Sequence, residues 1–156
     1  MPDRDNLIIR YGRIYMRLHR LLDRRMAAEG ASLARTKMLL FIANRAPARA
    51  ADLADFFNLA PRTVTQAIDT MERDGLVRRM PDPVDRRVKR LDITDSGRQV
   101  IKQTEPLRLE LVRQAVDVLT EEETQQLDHI LTKLDEAITT RLEDGVPSWP
   151  PCDAQV

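Results

Sequence analysis

The chain has 156 residues, of which 42% are apolar, 32% charged and only 4% aromatic; it therefore fits one domain, with or without a dimerisation extension, whose core rests on Leu, Ile, Val, Met and Ala. One cysteine (Cys152) and two histidines (His19 and His129) exclude a disulfide framework, a CxxC pair and a Cys/His metal cluster, so no metal or other cofactor is expected. The formal net charge of zero hides a split: residues 1–94 carry 19 Lys/Arg against 12 Asp/Glu, and residues 95–156 carry 6 against 13, as a basic working surface and an acidic remainder would.

The first twenty residues are charged throughout, with no apolar run of secretory length, and no stretch approaches a membrane span. A soluble, cytoplasmic protein is expected. Over residues 5–28, Leu7, Tyr11, Ile14, Leu18, Leu21, Leu22 and Met26 recur at helical spacing, which predicts a helix about 35 Å long. That is long for a small domain, so one end is expected to pack outside it. Ser32 offers an N-cap for a helix over 33–45 with Met38, Leu39, Phe41 and Ile42 as its stripe, and Pro47 ends it. A short helix at 51–57 and a tight turn through Asn58-Leu59-Ala60 follow. Pro61 then opens a helix over 61–74, with Val64, Ala67, Ile68 and Met71 inward and Gly75 as its C′ residue.

From residue 76 the period becomes that of a strand. "LVRRM" and "VKRLDIT" flank a turn carrying Pro81, Asp82, Pro83 and Asp85, predicting a β-hairpin with a long loop. Thr94-Asp95-Ser96 starts a long helix over 96–118, in which Pro106 should introduce a kink, and Thr120-x-x-Glu123 is a capping box for a last helix over 121–142. The Pro-rich residues 143–156 read as a disordered tail. A helix-turn-helix followed by a two-stranded ribbon is a winged helix. The expected fold class is thus mainly α (α+β).

Two stretches carry the chemistry. The outer face of the 61–74 helix presents Arg62, Thr63, Thr65, Gln66, Asp69, Thr70 and Arg73. The second helix of such a motif enters the major groove, where Arg and Gln form bidentate bonds to guanine and adenine and Thr reaches phosphate or the thymine methyl. The hairpin holds Arg78, Arg79, Arg86, Arg87, Lys89 and Arg90 against Asp82 and Asp85. A basic tip of this kind can rest on phosphate or enter the minor groove. Asp85 is expected to pair with Arg87 across the turn and shape the tip. Duplex-contacting candidates are therefore Arg62, Thr63, Thr65, Gln66, Arg73, Arg86, Arg87, Lys89 and Arg90. No nucleophile–base pair and no Gly-rich phosphate loop accompany them, so an enzyme is not expected.

The stretch Asp85-Arg86-Arg87-Val88-Lys89-Arg90-Leu91-Asp92-Ile93-Thr94 resembles the Asp-x-Arg-x-x-x-Leu-x-Leu-Thr wing signature of MarR-type (multiple antibiotic resistance regulator) transcription factors, with Ile93 in place of the second Leu. "LADFFNLAPRTVTQAIDTMERDGLVRR" is similar to that family's helix-turn-helix, and "LTEEETQQLDHIL" to its last helix. The resemblance implies a homodimer whose terminal helices interlock and whose two winged domains bind a pseudo-palindromic operator, usually as a repressor. It implies the division 1–30 and 96–142 for dimerisation, with 31–95 as the DNA-binding domain. It also implies release by a small aromatic or phenolic effector, for which Tyr11, Tyr15, Arg17, His19, Met38 and Phe41 are candidates. The family's peroxide sensors use a cysteine in the first helix, which this chain lacks. Where the family often has Ser before the recognition helix, this chain has Ala60, a lost cap worth about 1 kcal/mol and partly offset by Pro61. The alternative is a winged-helix protein-interaction module that does not bind DNA.

Overall fold

The computed structural model describes residues 3–85 and 87–140. Six helices and three short strands follow one another as α1 (Arg4–Ala28), α2 (Leu33–Arg45), β1 (Ala48–Arg49), α3 (Ala50–Phe57), α4 (Pro61–Arg73), β2 (Val77–Pro81), β3 (Lys89–Ile93), α5 (Asp95–Val116) and α6 (Glu121–Thr139). The fold is the expected winged helix, mainly helical with one small sheet.

The local signals act as chemistry requires. Ser32 Oγ accepts from the Arg35 amide at 3.2 Å, and Thr94 Oγ1 accepts from the Gly97 amide at 3.1 Å. Thr120 and Glu123 satisfy each other's backbone N–H groups reciprocally, which starts α6. Asn58, at φ 50°, makes the left-handed turn between α3 and α4, and Gly75, at φ 73°, ends α4. Ala60 gives α4 no side-chain cap, and Pro61 stands at its first position. Pro106 lies inside α5, whose helix continues on both sides of it.

The hairpin is joined by a strand that periodicity does not signal. β1, only two residues long, pairs antiparallel with β3, so the sheet order is β1-β3-β2 with Arg49 opposite Arg90. Two apolar clusters divide the molecule. In the larger, Leu39, Phe41, Ile42, Leu53, Val64 and Ile68 are fully buried between α2, α3, α4 and the sheet. In the smaller, Leu22 and Met26 of α1 meet Leu33 and Leu111. A buried hydrogen bond from Thr36 to Thr104, 2.9 Å long, ties α2 to α5 and leaves neither hydroxyl unsatisfied.

The terminal helices depart from a simple core stripe. Leu22 and Met26 are buried, but Leu7, Ile14 and Leu21 of the same predicted stripe are exposed, and no described residue of α6 is buried. The predicted tail at 143–156, with Cys152, lies outside the described residues. Gly12, inside α1, has nothing within 4 Å of a Cβ placed on it. Gly12→Ala should therefore raise stability by about 0.5–1 kcal/mol in chemical denaturation, because it removes only backbone freedom from the unfolded chain.

Candidate nucleic-acid interface

Helix α4 sorts its residues sharply. Val64, Ile68 and Met71 are buried, whereas Arg62, Thr63, Thr65, Gln66 and Arg73 are exposed. The Thr65 hydroxyl donates to the Pro61 carbonyl at 2.9 Å, so its methyl rather than its hydroxyl is offered outward. Arg62, Thr63 and Gln66 occupy the first turns of the helix, as reading base edges requires.

The wing is organised by a residue that sequence reasoning passed over as a turn former. Asp82 is only 2% exposed despite its place in the loop. One carboxylate oxygen accepts from the amides of Val84 (2.8 Å) and Asp85 (3.1 Å), while the other accepts from the Arg90 guanidinium, with Arg49 3.9 Å away. These backbone bonds first, and then Arg90, hold its carboxyl down at about 2. The expected Asp85–Arg87 pair takes a different form: the Asp85 carboxylate accepts from the Arg87 backbone N–H at 3.0 Å, shaping a local turn. Arg90 also reaches the Pro47 carbonyl at 3.4 Å. Its guanidinium is thus turned toward the loop base, which places it among the wing-shaping residues.

Other cations of the basic cluster are likewise engaged. Arg78 pairs with Asp92 at 2.5 Å across the hairpin. Arg79 clamps the wing to α4: its backbone N–H and guanidinium meet Glu72, and its second nitrogen is 2.5 Å from Asp69. Arg87 and Lys89 are exposed and have no acidic partner among the described residues. Arg86 lies outside the described residues. The surface open to an anionic duplex therefore comprises Arg62, Thr63 and Gln66 on α4, with Arg87 and Lys89 beside them, while Arg73, also exposed, lies 3.9 Å from the Asp74 carboxylate.

The six effector candidates separate. Tyr15 and His19, with ring centroids 6.2 Å apart, line a cleft of about 270 Å³ together with Leu18, Leu22, Leu33, Lys37, Arg108 and Val112. Met38 and Phe41 do not reach it. Both are buried in the larger core, where Phe41 packs on Phe56 and Phe57 at centroid distances of 4.8 and 5.7 Å. Tyr11 is exposed outside the cleft, and Arg17 lines a groove with Gly12, Arg13, Met16 and Arg20. Lys37 and Arg108 were missed, because a half-buried cation leaves no mark on a helical stripe. Burial, and then the Arg108 charge, lower the Lys37 ammonium from its usual range.

Residues 32–89, from the start of α2 into the wing, match the MarR family. Over that stretch, the chain is similar to the MarR family. Among curated relatives, it is 35% identical over 83 residues to the uncharacterised HTH-type transcriptional regulator YsmB of Bacillus subtilis, covering 53% of this chain and 57% of that one. To the HTH-type transcriptional repressor MdtR of the same organism it is 29% identical over 115 residues, covering 74% of each. The chain thus spans little more than half of the YsmB length. A crystal structure of MarR superposes with a TM-score of 0.75 at 25% identity, covering 92% of this chain and 99% of that one. A MarR variant from E. coli complexed with operator DNA gives 0.68 at 25% identity, covering 85% and 99%.

Proposed function

We propose that the protein is a homodimeric, cytoplasmic transcriptional repressor that binds a pseudo-palindromic duplex operator. The observation that carries this reading is the juxtaposition of the open polar face of α4 with the exposed Arg87 and Lys89 of a braced wing, the two elements a winged helix places in adjacent grooves. The match of residues 32–89 to the MarR family and the likeness to a MarR–operator complex support it. The bare α6 and the bare outer half of α1 support a dimer built from the terminal helices. One small module makes few phosphate contacts, whereas two read successive major-groove faces about 34–36 Å apart.

Fragments selected from genomic DNA supply the operator, and titrations at several salt concentrations test the roles. Arg87→Ala should weaken every duplex and reduce the salt slope by about two, one phosphate per subunit. Gln66→Ala should change sequence preference with the salt slope intact. A wild-type protein without salt-sensitive duplex affinity would leave the protein-interaction reading in its place. Arg79→Ala should weaken binding by about tenfold, because it leaves the Asp69 and Glu72 carboxylates unpaired beside the phosphates. Adding Asp69→Asn and Glu72→Gln should recover most of that loss. If the triple variant stays as weak as the single, Arg79 acts by some route other than neutralising these acids.

The cleft between α1, α2 and α5 suits a small aromatic acid. Tyr15 and His19 supply ring faces, and Lys37 stands at the cleft beside Arg108, whose guanidinium is held by the Glu105 carboxylate at 2.5 Å. Titrating the operator complex with benzoate-type acids should lower duplex affinity, and Lys37→Met should abolish the response.

A further inference from the structure

Of the 25 Lys and Arg side chains in the sequence, 21 are Arg and four are Lys: Lys37, Lys89, Lys102 and Lys133. Three of these lysines are exposed, and only Lys37 is half-buried. The distinction is chemical, because an amine can give up its proton and attack a carbonyl, whereas a guanidinium keeps its proton. One of the chain's few amines thus stands in its cleft.

The surroundings of Lys37 favour the neutral, nucleophilic form. The cleft of about 270 Å³ is walled mainly by carbon, with Leu18, Leu22, Leu33 and Val112 on its sides. Arg108 lines it too and is fixed by Glu105, whose carboxylate accepts from its Nε at 2.7 Å and from Nη2 at 2.5 Å. Burial first, and then this neighbouring cation, lower the Lys37 ammonium from its usual range. A lysine desolvated in an apolar pocket, or set beside a second cation, is an amine activated for imine formation. Tyr15 and His19, with ring centroids 6.2 Å apart, add ring faces on which a flat aromatic group can lie.

The amine also stands at the edge of the recognition unit. Lys37 Nζ lies over the Phe57 ring, 5.6 Å from its centroid. Phe57 is the last residue of α3, packs edge-on against Phe56 at 4.9 Å, and leads through the left-handed Asn58 into α4. A change at Nζ is therefore one contact away from the turn that sets α4.

We infer that Lys37 is a covalent sensor of aromatic aldehydes: its Nζ attacks the carbonyl carbon to give a carbinolamine, which loses water to form an imine. The step is a condensation without oxidant or reductant. A C=N bond replaces the C=O bond, and the carbonyl oxygen departs as water with the two hydrogens of the neutral amine. The imine replaces the ammonium above Phe57 and leaves the aldehyde's ring in the cleft between α1, α2 and α5. Its effect on duplex affinity rests on the operator-binding reading. The covalent site does not, and it goes beyond reversible aromatic acids, whose carboxylate does not condense with an amine.

Benzaldehyde is the probe, and sodium borohydride, which reduces the imine to a stable secondary amine, fixes the adduct. Peptide masses should show Lys37 gaining the benzyl group at least about tenfold faster than Lys89, Lys102 and Lys133. The trapped protein, freed of aldehyde, should bind operator at least about fivefold more weakly than protein given borohydride alone. Lys37→Arg, which keeps the charge and cannot condense, should show neither change relative to its own untreated form. Labelling that spreads over the exposed lysines would overturn the site, and so would a Lys37→Arg protein weakened as much as wild type. Labelling of Lys37 without loss of operator affinity would overturn its role as a sensor. A response to benzoate without labelling of Lys37 would overturn the imine and leave the effector cleft standing. A protein that binds no duplex overturns the operator reading instead, while the peptide masses still decide the site.

Discussion

Asp82→Asn should uncouple the wing from the rest of the domain and lower duplex affinity by at least about tenfold. The substitution keeps the shape of the side chain and removes its charge. In the native loop that one carboxylate accepts from two backbone amides and from the Arg90 guanidinium, and it lies 3.9 Å from Arg49. All are charge-assisted contacts, stronger than neutral ones. The amide cannot accept from all of these partners with comparable strength, and its own N–H₂ group would face Arg90. Because Arg49 and Arg90 stand opposite each other in the β1–β3 pairing, one change loosens both the strand edge and the tip that presents Arg87. Amide exchange at Val84 and Asp85 should accelerate, while α4 and the larger core keep their protection. Asp85→Asn, which touches only the Arg87 amide, should cost far less. The pH dependence follows in sign. The Asp82 carboxyl sits at about 2 against an ordinary 3.8, so its stabilisation is fully present above the ordinary value and is lost as pH falls through about 2. Asp82→Asn should therefore lose most relative to wild type at neutral pH, and the two proteins should converge in acid. An Asp82→Asn protein that binds DNA like wild type would show that the wing needs no internal brace.

What the sequence made legible is what short-range chemistry decides. Ser32, Thr94 and Thr120 cap helices through hydrogen bonds to residues three positions on. Pro61, Asn58 and Gly75 bound the recognition helix through their own backbone preferences. The outward face of α4 followed once Val64, Ile68 and Met71 were turned inward. What stayed hidden depends on partners distant in the chain. β1 exists because it meets β3 some forty residues later, and two residues carry no periodicity. The basic cluster could be counted but not sorted: Arg78, Arg79 and Arg90 are engaged by acids, and only packing says which. The α2 stripe placed Met38 and Phe41 on an apolar face without saying that this face is the larger core rather than the cleft. Lys37 and Arg108 meet at the cleft across some seventy residues, so neither stands out in sequence.

Gly97→Ala should be among the most damaging single methyl additions in the described chain. Gly97 is buried in the first turn of α5, where that helix leaves the sheet. A Cβ there would lie 2.7 Å from Ile93 Cγ1 and closer still to the Leu76 carbonyl oxygen. The carbonyl cannot step aside cheaply, since it accepts from both the Thr94 amide (3.1 Å) and the Thr94 hydroxyl (3.0 Å), the residue that caps α5. Ile93, 3% exposed, is held in the larger core. Overpacking of this sort costs about 1–3 kcal/mol, or roughly 3–10 °C in Tm for a chain of this size. The position also joins two functions. Leu76 leads into β2 and the wing, and α5 is packed against α1, so the strain must be relieved by tilting one against the other. Duplex affinity should then fall even at temperatures where the variant is fully folded, because the spacing of two wings in a dimer depends on the angle at which α5 leaves the sheet. Calorimetry and duplex titration of Gly97→Ala beside Gly12→Ala give the test, with opposite signs expected in stability from the same added methyl. A Gly97→Ala protein that melts with wild type would mean that Leu76 and Ile93 can yield several tenths of an ångström without cost, and that the junction is softer than its packing indicates.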